Sequence, residues 1–268
     1  MKLNIINKQN KETGTIDLPS QFNEKVRTDL IKRAVLVIQS HNYQPYGADP
    51  RAGKKSSAKL SRRRRKYRGS YGHGISRVPR KIVSRRGTRF NWIGAFAPGT
   101  VGGRRAHPPK ADKIISKKIN KKENRKAIRS ALAAVIDKIT VKKRGHKVPE
   151  NYPFIIDNEF EKLNKTKDVK TALIAIGLKD ELKRSSVKKI RAGRGKMRGR
   201  KYRRKKGPLV VVSDNCELIK SAKNIPGIDI VKIKNVNAEL LAPGCDVGRL
   251  TLFTQKAIEK LGKDKLFM

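Results

Sequence analysis

Acid is scarce in this chain. It carries 22 Asp and Glu against 67 Lys and Arg, a formal net charge of +45 over 268 residues. Self-repulsion of that size works against a compact state, and a standing polyanionic partner removes the difficulty. Cysteine is scarce too. Cys216 and Cys245 lie far apart, and neither has a second cysteine at ligand spacing. That excludes a disulfide framework and a cysteine zinc site, and it fits a reducing cytoplasm. No apolar run reaches about 18 residues, so no membrane span is expected. Met1–Asn10 is too polar for the apolar core of a signal peptide. A basic amphipathic helix with a bulky apolar face is missing as well, and the most basic stretches are rich in glycine instead. The expected polyanion is therefore nucleic acid, with no membrane partner.

What is present is organised around Arg51–Lys110. This stretch holds 19 Lys and Arg, no Asp or Glu, nine glycines, four prolines and five aromatics. No run within it keeps a strand or helix period long enough to build a packed element. It buries too little apolar surface to offset its ordering entropy, so it is expected to stay loose until a polyanion neutralises it. Phe90, Trp92 and Phe96 come close together among Gly94, Pro98, Gly99, Gly102 and Gly103. Two readings stay open for them: stacking on unpaired bases, or a local cluster that packs the segment against its own base. A second basic tract, Lys183–Lys206, has 14 Lys and Arg and no acid, and Gly193, Gly195 and Gly199 weigh against a helix there.

The flanking chain is patterned. Leu3, Ile5 and Ile6 read as a strand, a turn at Thr13-Gly14 follows, and Ile16 and Leu18 return as its partner before Pro19. Val26–Gln39 reads as a helix that dissolves by Asn42–Pro50. Asn120 with Glu123 forms a capping-box pattern. The apolar stripe from Ala127 through Leu132 and Val135 to Ile139 predicts one long helix ending near Gly145. Phe154–Ile156 reads as a buried strand, and Thr166–Ile176 as a helix closed by Gly177, with one more turn over Lys179–Leu182. Leu209–Val212 is a strand, Glu217–Ala222 a short helix, and Ile228–Ile233 another strand after the Pro226-Gly227 turn. Leu250–Leu261 reads as a closing helix ended by Gly262. Strands alternating with helices predict an α/β fold, a three-layer α/β/α globular domain with a mainly parallel sheet. That domain is expected to comprise residues 1–49 and 111–268. A long extended basic internal arm, residues 50–110, and a second basic loop, 183–206, leave it.

The chemistry of an enzyme has little support. Gly53-Lys54 resembles the end of a phosphate-binding loop, but Ala48 stands where that loop needs glycine and Lys55 where it needs Ser or Thr. Gly193, Gly195 and Gly199 match a dinucleotide fingerprint poorly, and no strand leads into them. His41, His73, His107 and His146 show no metal-ligand spacing. Asp214, just after a strand, reads as a helix N-cap before it reads as a catalytic carboxylate. No cofactor, metal or small-molecule substrate is expected. Two alternatives stand beside a structural RNA-binding role. One is a general nucleic-acid binder with solvated basic tails, which the internal position of the arm disfavours. The other is an RNA-modifying enzyme with a basic clamp.

Several stretches are recognisable together. Gln44-Pro45-Tyr46-Gly47 leads into Ala52-Gly53-Lys54 and Ser57-Ala58, and Ala106-His107-Pro108-Pro109-Lys110 closes the arm. Arg129-Ser130-Ala131-Leu132-Ala133-Ala134 precedes Arg144-Gly145-His146. Gly199-Arg200-Lys201-Tyr202-Arg203-Arg204 precedes Gly207-Pro208-Leu209, and Ala242-Pro243-Gly244 leads to Gly248-Arg249-Leu250-Thr251. In this order, over essentially the whole chain, they resemble the family of the fourth protein of the large ribosomal subunit in its archaeal and eukaryotic form. The short C-terminal end makes the resemblance archaeal.

The resemblance implies a structural role in the cytoplasmic ribosome. An α/β domain would sit on the outer face of the large subunit, beside neighbouring ribosomal proteins. An arm would thread through large-subunit ribosomal RNA, and its tip would reach the nascent polypeptide in the exit tunnel. By position, the tip falls within Leu60–Pro79. There Lys59 and Arg62–Arg65 replace the acidic residue and Ser-Gly-rich run usual in the family. The residues expected to hold RNA on the arm are Arg51, Lys54, Lys55, Lys59, Arg62, Arg63, Arg64, Arg65, Lys66, Arg68, Arg77, Arg80, Lys81, Arg85, Arg86, Arg89, Trp92, Arg104, Arg105, His107 and Lys110. On the second tract they are Arg191, Arg194, Lys196, Arg198, Arg200, Lys201, Tyr202, Arg203 and Arg204. Arg65, Tyr67, Arg68, Tyr71 and His73 are the expected tunnel-lining tip. The cations would meet phosphates without reading sequence, while aromatics stack where bases are splayed.

Overall fold

The computed structural model describes all 268 residues. In chain order, β1 (Lys2–Ile6) and β2 (Glu12–Asp17) are followed by α1 (Thr28–His41), then β3 (Arg80–Arg86) and β4 (Arg89–Gly94). Next come α2 (Lys121–Ile136), α3 (Lys138–Lys143), β5 (Ile155–Ile156), α4 (Thr166–Leu173) and α5 (Lys179–Ser186). β6 (Lys188–Ile190), β7 (Tyr202–Arg204), β8 (Leu209–Val212), α6 (Glu217–Ala222) and β9 (Asp229–Lys232) lead to α7 (Ala238–Leu241), β10 (Thr251–Thr254) and α8 (Gln255–Lys263). Contacts divide the chain into two compact units, Met1–Asn42 with Ser116–Met268, and Tyr43–Ile115.

The first unit is built on a six-stranded sheet in the order β2-β1-β5-β10-β8-β9. Only the β1–β2 hairpin is antiparallel; the other four pairings are parallel. Parallel strands need both faces covered, and the side chains show how this is done. Ile5, Ile155, Val211 and Phe253 pack with Ile31, Val35, Leu132 and Ile258 of α1, α2 and α8. Their neighbours Ile6, Ile156, Val212 and Leu252 point the other way, onto Val169, Leu173, Leu182 and Leu218 of α4, α5 and α6. The result is the three-layer α/β/α sandwich expected from the alternation of elements. Leu209–Val212 lies in its middle, with all four side chains buried.

The structure departs from the sequence reading in several places. Leu250–Leu261 is not one helix: Thr251–Thr254 forms β10, and α8 begins only at Gln255. Four apolar or β-branched residues running straight into a helical pattern carry no period of their own. The long helix expected to end near Gly145 is broken at Asp137. The Asp137 carboxylate accepts from the N–H groups of Ile139 (3.0 Å) and Thr140 (3.2 Å), capping α3 and leaving Ile139 exposed. The Asn120 capping box is not made, since Glu123 pairs instead with Arg33 at 2.8 Å. Finally, both basic tracts contain strands, β3–β4 in the first and β6–β7 in the second. Arg and Lys interrupt their short apolar stretches, so no alternation long enough to predict a strand was visible.

Candidate nucleic-acid interface

In the second unit β3 and β4 pair antiparallel from Arg80↔Gly94 to Arg86↔Arg89. Phe90 and Trp92 alternate with Arg89 and Asn91 along β4. Their rings pack at 5.4 Å, and Tyr67 meets Phe90 edge-on at 5.2 Å. Phe90 and Trp92 thus pack locally, with Tyr67 as a third ring. The Tyr67 hydroxyl accepts from Arg85 Nη1 at 2.9 Å. Tyr71, 40% exposed, has the guanidinium groups of Arg64 and Arg77 over its ring, 5.9 and 5.3 Å from the centroid. Phe96 lies outside the cluster and is exposed.

Lys59 and Arg80 form an antiparallel bridge, so the chain between them is a closed loop. Within the loop Ser61 bridges to Gly69, and Arg62–Lys66 and His73 are exposed. Gly53, at a φ of 70°, sits so close to the backbone of Gly103 and Arg104 that a Cβ there has no room. Arg51, Lys54, Arg105, His107 and Lys110 stand exposed around this base, and Arg104 is half-buried. Of the 19 cations from Arg51 to Lys110, only Lys55 reaches a carboxylate, that of Asp49 at 3.1 Å. Arg68, Arg80, Lys81 and Trp92 are partly covered by their own unit, and the remaining predicted cations of the stretch are open to solvent.

The second tract is a hairpin on the first unit. β6 and β7 pair from Lys188↔Arg204 to Ile190↔Tyr202, and Lys188 Nζ lies 3.8 Å above the Tyr202 ring. Arg191, Arg194, Lys196, Arg198, Arg200, Lys201, Tyr202, Arg203 and Arg204 are all exposed. The base of the hairpin is fixed by a network the sequence does not reveal, because its members read apart: His146 as a histidine without metal-ligand spacing, Arg184 as part of the basic tract. Glu181 is fully buried and takes a bidentate pair from Arg184 (2.8 and 2.6 Å), Nδ1–H from His146 (2.7 Å) and the Lys147 N–H (2.9 Å). Arg184 also donates to the Lys206 carbonyl at 2.7 Å, tying α5 to the far end of the hairpin. The one hint of this network in the sequence is Glu181, the last acid before a tract of 14 cations.

The edge of a parallel sheet where strands end is where α/β enzymes usually hold ligands. Here Glu161 fills it. Its carboxylate accepts from the Ser213 N–H (3.1 Å), the Ser213 hydroxyl and Thr254 Oγ1 (2.7 Å), at the ends of β8 and β10. Asp214 does not cap α6 as expected; both its oxygens accept from Lys260, at 2.5 and 2.6 Å. No cluster of metal-ligating side chains is present, and no helix is long and apolar enough to cross a membrane.

Comparison with known proteins agrees with this architecture. The chain is 52% identical over its full length to the large ribosomal subunit protein uL4 of Nanoarchaeum equitans, all of which is covered. It is 45% identical over 264 residues to uL4 of Archaeoglobus fulgidus (98% of this chain, 99% of the relative), and 44% identical over 263 residues to uL4 of Methanocaldococcus jannaschii (97% and 98%). Residues 16–264 match the ribosomal protein L4/L1 family across both compact units and both basic tracts. The chain thus belongs to the ribosomal protein L4/L1 family, in its archaeal type.

Proposed function

We propose that the chain, a structural constituent of the large ribosomal subunit and not an enzyme, holds large-subunit ribosomal RNA through its two basic tracts and helps that RNA assemble. The observation that carries this reading is the unpaired charge of Arg51–Lys110, where 18 of 19 cations have no carboxylate. Cations left without internal partners are free to displace counterions from RNA. Residues 50–110 act as the arm threading the RNA, and residues 1–49 with 111–268 as its rigid root. The Lys59–Arg80 loop is the tip, where Arg65, Tyr67, Arg68, Tyr71 and His73 line the exit tunnel and meet the nascent chain as a positive surface. Neighbouring ribosomal proteins pack on the α/β domain, and the assembly is cytoplasmic.

Cross-linking in cell extract tests the proposal. Links from Arg62–Trp92 to several separate domains of large-subunit RNA are expected. Links spread over unrelated RNAs would mean a general binder, and links confined to transfer RNA would revive a modifying enzyme.

A further inference from the structure

Beside the base of the second hairpin lies a cleft whose walls are mostly cationic. The hairpin lines it with Lys189, Arg191, Arg203 and Arg204, and Arg184 of α5 lines it as well. Arg144, at the end of α3, also lines it, with Pro243, Gly244 and Asp246 of the turn after α7. Eight Lys and Arg line the cleft against two carboxylates, Glu239 and Asp246.

Its two central guanidinium groups differ. Arg184 is satisfied by Glu181 and the Lys206 carbonyl. Arg144 is not. Its Nη2 donates to the Pro243 carbonyl at 2.5 Å, but Nη1 is buried and has no partner. Burial, together with the nearby charges of Arg249 and Arg184, lowers the Arg144 pKa, against the pull of Asp246. A cation left in that state is costly unless an anion completes it.

We propose that this cleft receives a single-stranded or sharply turned stretch of RNA backbone, with the Arg144 side chain turning so that its buried Nη1 meets a phosphate oxygen near the hairpin and the Pro243–Asp246 turn. The proposal rests on the RNA-binding reading above and sharpens it. A duplex presents convex phosphate ridges, whereas a concave cleft lined by cations suits a strand that can enter it. Planar guanidinium forks suit phosphate oxygens.

The test uses the full chain, a short single-stranded oligoribonucleotide and the same sequence as a duplex, titrated over a salt series. Arg144→Met is expected to weaken single-strand binding about tenfold and to lower the salt slope by roughly one phosphate contact. Duplex binding should stay unchanged, and the thermal midpoint should hold or rise, because an unpaired buried cation has gone. Arg203→Gln, from the hairpin, should give the same selective loss, and Arg144→Lys should retain most of the slope. Equal losses on strand and duplex, or a lowered midpoint with binding intact, would overturn the cleft. So would inorganic phosphate competing as well as RNA at equal phosphate concentration. A wild type that binds neither RNA form contradicts the parent reading instead.

Discussion

At Glu181 two opposing effects meet. Burial alone would raise its carboxyl, but hydrogen bonds from Arg184, His146 and the Lys147 N–H outweigh that and hold it at about 2. His146 is shifted down by burial, which wins over its bond to Glu181. Both shifts mean that the unfolded chain binds protons more readily than the folded one. Stability is therefore lost as pH falls, first as His146 becomes protonated in the unfolded chain below about pH 6.5, then as carboxylates do so from about pH 4.5 toward 2. Urea midpoints measured across this range should fall steadily for the wild type. Glu181→Gln should be less stable near neutrality by roughly 3 kcal/mol and flatter below pH 4.5; an unchanged acid limb would contradict the assignment. Arg249 is a second buried cation with every acceptor in place. It donates to the Gly207 carbonyl (2.9 Å), the Leu240 carbonyl (3.0 Å) and Asp229 (2.6 Å). A lysine has no fork to reach all three, so Arg249→Lys should cost about 3–5 kcal/mol in chemical unfolding.

Among elements, legibility followed apolar pattern. Leu209–Val212 and the α2 stripe announced themselves because their side chains face a core, and both are present. β10 was hidden because Thr251–Thr254 runs straight into α8. β3 and β4 were hidden because Arg80, Lys81, Arg85, Arg86 and Arg89 flank apolar stretches too brief to read as strands. The cations of the candidate interface were plain from composition alone. The Arg144, His146, Glu181 and Arg184 group was not, since it gathers residues from separate stretches and the contact between them is a property of the fold. The Lys59–Arg80 bridge carries a prediction of its own. Deleting Leu60–Pro79 joins residues that already face each other, so the shortened protein should still enter the large subunit while translation of tunnel-sensitive sequences changes. Failure to enter, scored by sedimentation, would show that the loop itself drives assembly.

The molecule as a whole carries a formal net charge of +45, and its ion pairs engage few of its 67 Lys and Arg. Mutual repulsion among the rest is screened as salt rises. The thermal midpoint of the free protein should therefore climb between low and moderate ionic strength, and a polyanion should raise it at constant salt. A midpoint indifferent to both would mean that the charges are spaced too widely to oppose folding.

The position of β10 gives this chain a history as well as a shape. In the order β2-β1-β5-β10-β8-β9, the strand made last stands third from one edge. During synthesis β1, β2 and β5 emerge as one fragment, and β8 and β9 as another. Neither has a partner for its inner edge until Thr251–Thr254 arrives. Both polycationic tracts are by then already outside, on a chain whose sheet is still in two pieces. The sheet is sealed only once β10 has emerged, and a chain stopped after β9 would carry both cationic tracts and no closed core beside them.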